Sequence, residues 1–262
     1  MEFKNITEIA NYIVSEGKGI LAADESNPTC TKRFDSIGVE SSEENRRDYR
    51  ELLFRSEGMK GNIGGVILFD ETIRQYAADG TSLVDLISAQ GALPGIKVDK
   101  GLQPIGDSKE SLTQGLEGLD ERLKEYFSLG AKFTKWRAVI NIDNLLPSSE
   151  AISANMQALA DYAKVVQDNN MVPMVEPEVL MDGVHSIDDC YDATSRCLES
   201  LFSSLQDKGV DISGTILKPN MVTSGSDAKD KAGIEEVAQR TVKCLKENVP
   251  NELPGITFLS GC

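Results

Sequence analysis

The sequence has 262 residues, 40% hydrophobic and 26% charged, which suits a soluble globular chain of one large domain or two small ones. Its 27 basic and 42 acidic residues give −15, which argues against general binding to nucleic acid or anionic membranes and leaves anion binding to a local Lys/Arg cluster. The single histidine, His185, excludes His-rich metal sites and disfavours a His-centred triad. The five scattered cysteines, without a C-x-x-C pair, predict reduced thiols in a cytoplasmic protein.

The first residues carry no signal-peptide pattern, and no apolar run approaches the ~20 residues of a membrane span. In chain order, an amphipathic helix is predicted over residues 6–14, then an apolar run at 19–23. Ser41-Ser42-Glu43-Glu44 has the form of a capping box and opens a helix to about residue 56. Further short runs fall at 65–69, 95–98, 133–140, 171–175, 215–217 and 256–259. Helical patterns near 82–90, 111–128, 149–169, 187–208 and 231–247 separate them.

Alternating strands and helices predict parallel strands covered by helices. Seven such runs suit an α/β fold of the (β/α)8 TIM-barrel type with seven of its eight units present. A long doubly wound sheet is the alternative, but no strand is followed by G-x-G-x-x-G, and no Walker A motif occurs. The expected organisation is one barrel domain over residues 1–262, stopping before an eighth strand.

Buried parallel strands should be apolar, yet nearly every run here ends in charge. Asp24-Glu25 closes the first, Lys97 and Asp99 the third, Lys135 and Arg137 the fourth, Glu176 and Glu178 the fifth, and Lys218 the sixth. In a barrel these ends line the mouth where active sites lie. A lone strand-end lysine is usually a solvated tip, but the same feature at the same end of several strands is hard to dismiss. A lysine beside other cations, partly desolvated, has a depressed pKa. As a neutral amine it attacks a ketone to form an imine, which serves as an electron sink, while neighbouring carboxylates move protons. The remaining cations and glycine-turn N–H groups can hold phosphates.

Six motifs carry a family resemblance across the chain: Gly17 to Ser26, Gly95 to Gly101, Lys135-Trp136-Arg137, Val175 to Glu178, Leu217 to Val222, and Phe258-Leu259-Ser260-Gly261. Together, and in this order, they resemble the class I, Schiff-base-forming fructose-bisphosphate aldolases. The resemblance implies a metal-independent lyase with no cofactor, a cytoplasmic location and a homotetramer. It implies reversible cleavage of fructose 1,6-bisphosphate to the triose phosphates dihydroxyacetone phosphate and glyceraldehyde 3-phosphate. Lys218 would form the imine, and Glu176 would be the acid/base for carbinolamine formation and dehydration. Asp24 would share in the proton transfer of carbon–carbon cleavage, and Lys135 would sit beside the imine. Lys97, Arg137 and Glu178 would line the substrate mouth; Ser26, Thr29, Lys32 and Arg33 would meet one phosphate, and Ser260 with Gly261 the other. Competing expectations are a silent member that binds bisphosphates or a protein partner, and another Schiff-base barrel enzyme. Glu25 is expected in a structural ion pair and Trp136 packed against a helix.

Overall fold

A computed structural model of the protein describes residues 2–259. The elements run α1 (Ile6–Ile13), β1 (Gly19–Ala23), α2 (Asn27–Asp35), α3 (Glu43–Phe54), β2 (Ile63–Leu68), α4 (Asp70–Ile73), α5 (Leu83–Ala89), β3 (Leu93–Lys97) and a hairpin of β4 (Leu102–Pro104) with β5 (Ser111–Thr113). They continue α6 (Leu119–Ser128), β6 (Phe133–Ile140), α7 (Ser149–Asp168), β7 (Val172–Val179), α8 (Ile187–Asp207), β8 (Ile216–Leu217) and α9 (Ile234–Asn248).

Six strands form one curled parallel sheet, ordered β1-β2-β3-β6-β7-β8, consistent with a partial TIM barrel. The seventh expected run lies alongside β8: Thr257 N donates to Leu217 O at 2.9 Å, and Ile256 bridges Leu217 in parallel. Every crossover between sheet strands passes through helix, except that β4 and β5 interrupt the path from β3.

The period of two sorts each strand into an inner and an outer set. Leu93, Phe133, Val172, Met174 and Ile216 point inward at the N-terminal end, where Ile9, Ala10 and Ile13 of α1 join them in one apolar cluster. Ile96, Trp136, Ala138, Val175 and Leu217 have the opposite parity and pack against the helix layer. Continuing the inner parity toward the C-terminal strand ends brings Lys97, Lys135, Arg137, Glu176, Glu178 and Lys218 to the mouth. One alternation thus builds the apolar plug at one end and the charged site at the other.

Two local expectations need correction, and one helix is additional to them. The N-cap of α3 is Ser42, whose hydroxyl accepts from Asn45 N at 3.1 Å; the reciprocal capping box instead opens α8, between Ser186 and Asp189. The helix expected from residue 111 starts at Leu119, because Gly115 (φ 130°) and Gly118 (φ 62°) hold backbone conformations that end helical continuity, and residues 111–113 pair with β4. Helix α2 lies outside the predicted helical patterns; it opens with Asn27-Pro28, a good start, but is otherwise largely polar.

Candidate active site

Four charged side chains form a linked row at the mouth. Lys218, directly after β8, donates to Glu176 Oε1 of β7 at 2.6 Å. Lys135 of β6 stands 3.4 Å from Glu176 Oε2 and 2.7 Å from Asp24 Oδ2, just past β1. The 3.4 Å contact is an ion pair without hydrogen-bond alignment, and among the described residues Glu176 Oε2 accepts no hydrogen bond. Lys135 is 4% exposed and Glu176 2%, so their charges are sustained by each other and not by water. Burial pulls the Lys135 pKa down, but Glu176, Asp24 and Asp99 outweigh it and hold the ammonium above the usual lysine range.

Around this row Lys97, Arg137 and Arg33 are paired. Lys97 meets Asp99 at 3.0 Å, and Arg137 Nε donates to Glu178 Oε2 in a close pair. Burial lowers the Arg137 pKa and the Glu178 contact raises it, with a net rise, so the guanidinium stays charged. Arg33 donates to Glu25 at 2.5 Å, and the Ser26 and Thr29 hydroxyls are 3.0 Å apart. Asp24, Ser26, Thr29, Arg33, Lys97, Lys135 and Arg137, with Asp99, line one cavity of about 440 Å³. Lys218, Glu176 and Glu178 are not in its wall; the first two connect to it through Lys135. Larger clefts, about 610 Å³ on α9 and about 680 Å³ between the β6–α7 and β7–α8 loops, contain none of the candidate residues. Ser260 and Gly261 lie outside the described residues.

Glu25 takes the structural role expected of it. It accepts from Arg33 at 2.5 Å, from Arg50 at 3.3 Å and from the Tyr49 hydroxyl at 3.1 Å. Arg50 was not singled out from the sequence, where it resembles one more charge on a polar helix. It is fully buried and donates to Ala23 O at 3.1 Å and Glu25 O at 2.9 Å, clamping the backbone on both sides of Asp24. Trp136 is fully buried with its ring 5.3 Å from that of Tyr162 in α7, the helix packing expected of it.

The set can do imine and acid–base chemistry: a lysine on a buried carboxylate, a second lysine that keeps its proton, and a further carboxylate across the mouth. Among the described residues, no three or more His, Cys, Asp or Glu side chains are grouped to hold a metal ion, and no helix is long and apolar enough to cross a membrane.

Comparison with known proteins gives this arrangement a family. The family model for class-I fructose-bisphosphate aldolase matches residues 5–262. The chain is 53% identical over 262 residues to a probable fructose-bisphosphate aldolase class 1 of Xanthomonas axonopodis pv. citri, covering 100% of this chain and 78% of that protein. It is 51% identical to fructose-bisphosphate aldolase 1 of Toxoplasma gondii, covering 98% of this chain and 72% of that one. The fructose-bisphosphate aldolase of Plasmodium falciparum, solved in complex with TRAP and a small-molecule inhibitor, superposes with a TM-score of 0.96 at 47% identity, over 98% of this chain and 75% of that one. A matching family model over nearly the whole sequence, relatives at about half identity and a shared fold make this chain a member of the class I fructose-bisphosphate aldolase family.

Proposed function

We propose that this chain reversibly cleaves fructose 1,6-bisphosphate into dihydroxyacetone phosphate and glyceraldehyde 3-phosphate through an imine on Lys218. The observation that carries the reading is the row Lys218–Glu176–Lys135–Asp24. The Lys218 amine, once neutral, attacks the C2 ketone. Glu176, 2.6 Å from that nitrogen, takes and returns the protons that turn the carbinolamine hydroxyl into departing water. The C3–C4 bond then breaks, and its electron pair flows into the iminium to give an enamine. Asp24 accepts the proton of the C4 hydroxyl as the aldehyde forms, and Lys135, 2.7 Å away, holds that carboxylate in place. Protonation of the enamine at C3 and hydrolysis free the second triose phosphate. The iminium takes the electron pair that a metal would otherwise stabilise, so a chelator leaves the rate unchanged.

Lys97, Arg137 and Arg33, with the Ser26 and Thr29 hydroxyls, are the groups for the phosphates. Each of these cations already faces a carboxylate. A phosphate, with more charge and more acceptor oxygens, competes with those carboxylates for them. Glu178 is freed from Arg137 when a phosphate takes its place. A single barrel domain, a homotetramer and a cytoplasmic location complete the reading, the last supported by cytosolic relatives of Arabidopsis thaliana at 50% identity. Sedimentation checks the oligomer.

The test is borohydride trapping with dihydroxyacetone phosphate, followed by peptide mass mapping. An adduct on the Lys218 peptide, absent in Lys218→Ala, is the expected result. A folded chain that gives no adduct defeats the reading.

A further inference from the structure

The segment bearing Lys218 is thinly tied to the sheet. Strand β8 has two residues, registered Met174↔Ile216 and Val175↔Leu217 with β7. The last rung on the β7 side is Lys218 N donating to Val175 O at 2.9 Å. Pro219 follows and has no N–H with which to extend the ladder. Meanwhile β7 continues to Val179, carrying Glu176 and Glu178 beyond the end of its partner strand.

A buried side chain closes this gap. Asn220 Oδ1 accepts from Val179 N at 3.0 Å. Its Nδ2 donates to Thr194 Oγ1 of α8 at 3.1 Å and to Met221 O at 3.1 Å. The amide orientation follows from the partners: a backbone N–H needs the oxygen and a backbone carbonyl needs the nitrogen. The side-chain oxygen therefore stands where a strand carbonyl would. With the Lys218–Val175 rung at one end and Asn220–Val179 at the other, Glu176 is enclosed in a hydrogen-bonded frame with Lys218. Thr194 fixes that frame to the helix layer.

We propose that Asn220 is a positioning residue that holds the Lys218 amine against the Glu176 carboxylate. The proposal rests on the imine reading above. Asn220 is two residues from Lys218 and, among the contacts given for the described residues, makes none with the cavity or the charged row, so it acts through the backbone alone. The Lys218–Glu176 distance of 2.6 Å depends on two chain segments whose strand register ends at Val175 and Leu217, and small misplacements of reacting groups are costly to rate.

The experiment compares wild type with Asn220→Ala, Thr194→Val and Thr194→Ser, measuring the rate of borohydride trapping on Lys218, kcat and KM, with near-UV circular dichroism to establish folding. In a folded Asn220→Ala, trapping and kcat fall about tenfold to a hundredfold while KM moves less than about twofold. Thr194→Val shows a smaller fall of the same kind, and Thr194→Ser, which restores the hydroxyl, recovers wild-type trapping. Unchanged trapping in folded Asn220→Ala overturns the proposal. If that variant does not fold, equal trapping in Thr194→Val and wild type overturns it instead. Absence of an adduct on wild type is a separate result: it removes the imine reading itself.

Discussion

The Lys135 ammonium reaches Asp24 at 2.7 Å, although the strands that lead to them, β6 and β1, are separated in the sheet by β2 and β3. The contact spans the mouth and fixes the two sides of the curled sheet to each other. It also places one cation between two carboxylates, Asp24 and Glu176.

Lys135→Met tests what that cation supports. Removing it takes the cation from between the buried Glu176 and the half-buried Asp24, and a broken buried pair costs about 3–5 kcal/mol. The urea midpoint at neutral pH falls accordingly. Lowering the pH between about 8 and 5 restores part of the loss, because the folded variant takes up a proton that the unfolded chain does not. A stability difference constant over that range shows that the two carboxylates do not share the lysine. In the wild type Lys135 itself is silent here: its folded pKa is raised, so its contribution is complete below the ordinary lysine value of about 10.4 and is lost only as pH rises through the folded value.

Glu176→Gln keeps the shape of the side chain and removes the proton transfer proposed for it. The trapping rate on Lys218 is expected to fall about 10²–10⁴-fold, the range for a lost general acid–base, with phosphate-ligand affinity nearly unchanged. A trapping rate equal to wild type assigns the proton transfers of imine formation to another group.

Much of the mouth was legible because of one regularity. Lys135, Glu176 and Lys218 each follow an inward apolar residue by two, Phe133, Met174 and Ile216, so a period-two reading of short runs puts charge and plug on the same face. The unread parts lack periodicity. Strands β4 and β5 have three residues each, too few for alternation to register. Arg50 and Asn220 act on residues far along the chain, at separations of 27 for Ala23 and 41 for Val179; nothing beside Arg50 distinguishes it from a solvated arginine, and Asn220, although inside the motif that holds Lys218, shows no local sign of a partner so distant.

Acid sensitivity is expected at a second, partly buried pair. Arg46 of α3 donates through Nη2 to Glu71 Oε2 at 2.6 Å and through Nε to Oε1 at 2.8 Å. The Arg46 hydrogen bonds, against the opposing effect of burial and with help from Asn27, hold the Glu71 carboxyl below its usual range. A depressed carboxylate contributes stability that is present above its unfolded value of about 4.3 and is lost as pH falls through the folded one. Glu71→Gln therefore costs about 1.5–3 kcal/mol at neutral pH, with its difference from wild type shrinking in acid below about pH 4. A difference that persists in acid means that Glu71 contributes by packing and not by charge.

Gly95 shows why the plug end of the barrel admits no extra atom. A Cβ there would clash with the ring atoms of Phe133, well within contact distance, and one on Gly65 would lie 2.9 Å from the same ring. Gly95 has ordinary backbone angles, so Gly95→Ala gains about 0.4–1 kcal/mol from a stiffer unfolded chain. Overpacking, at about 1–3 kcal/mol, opposes that gain and prevails, because Phe133 is fully buried among Ile67, Leu93 and α1 and has nowhere to move. Phe133→Leu removes the obstacle at its own cavity cost. The double variant should then lose less than the sum of the single losses, by about 0.5–3 kcal/mol, in urea denaturation. Strict additivity means that the ring turns aside on its own and that Gly95 is placed there for another reason.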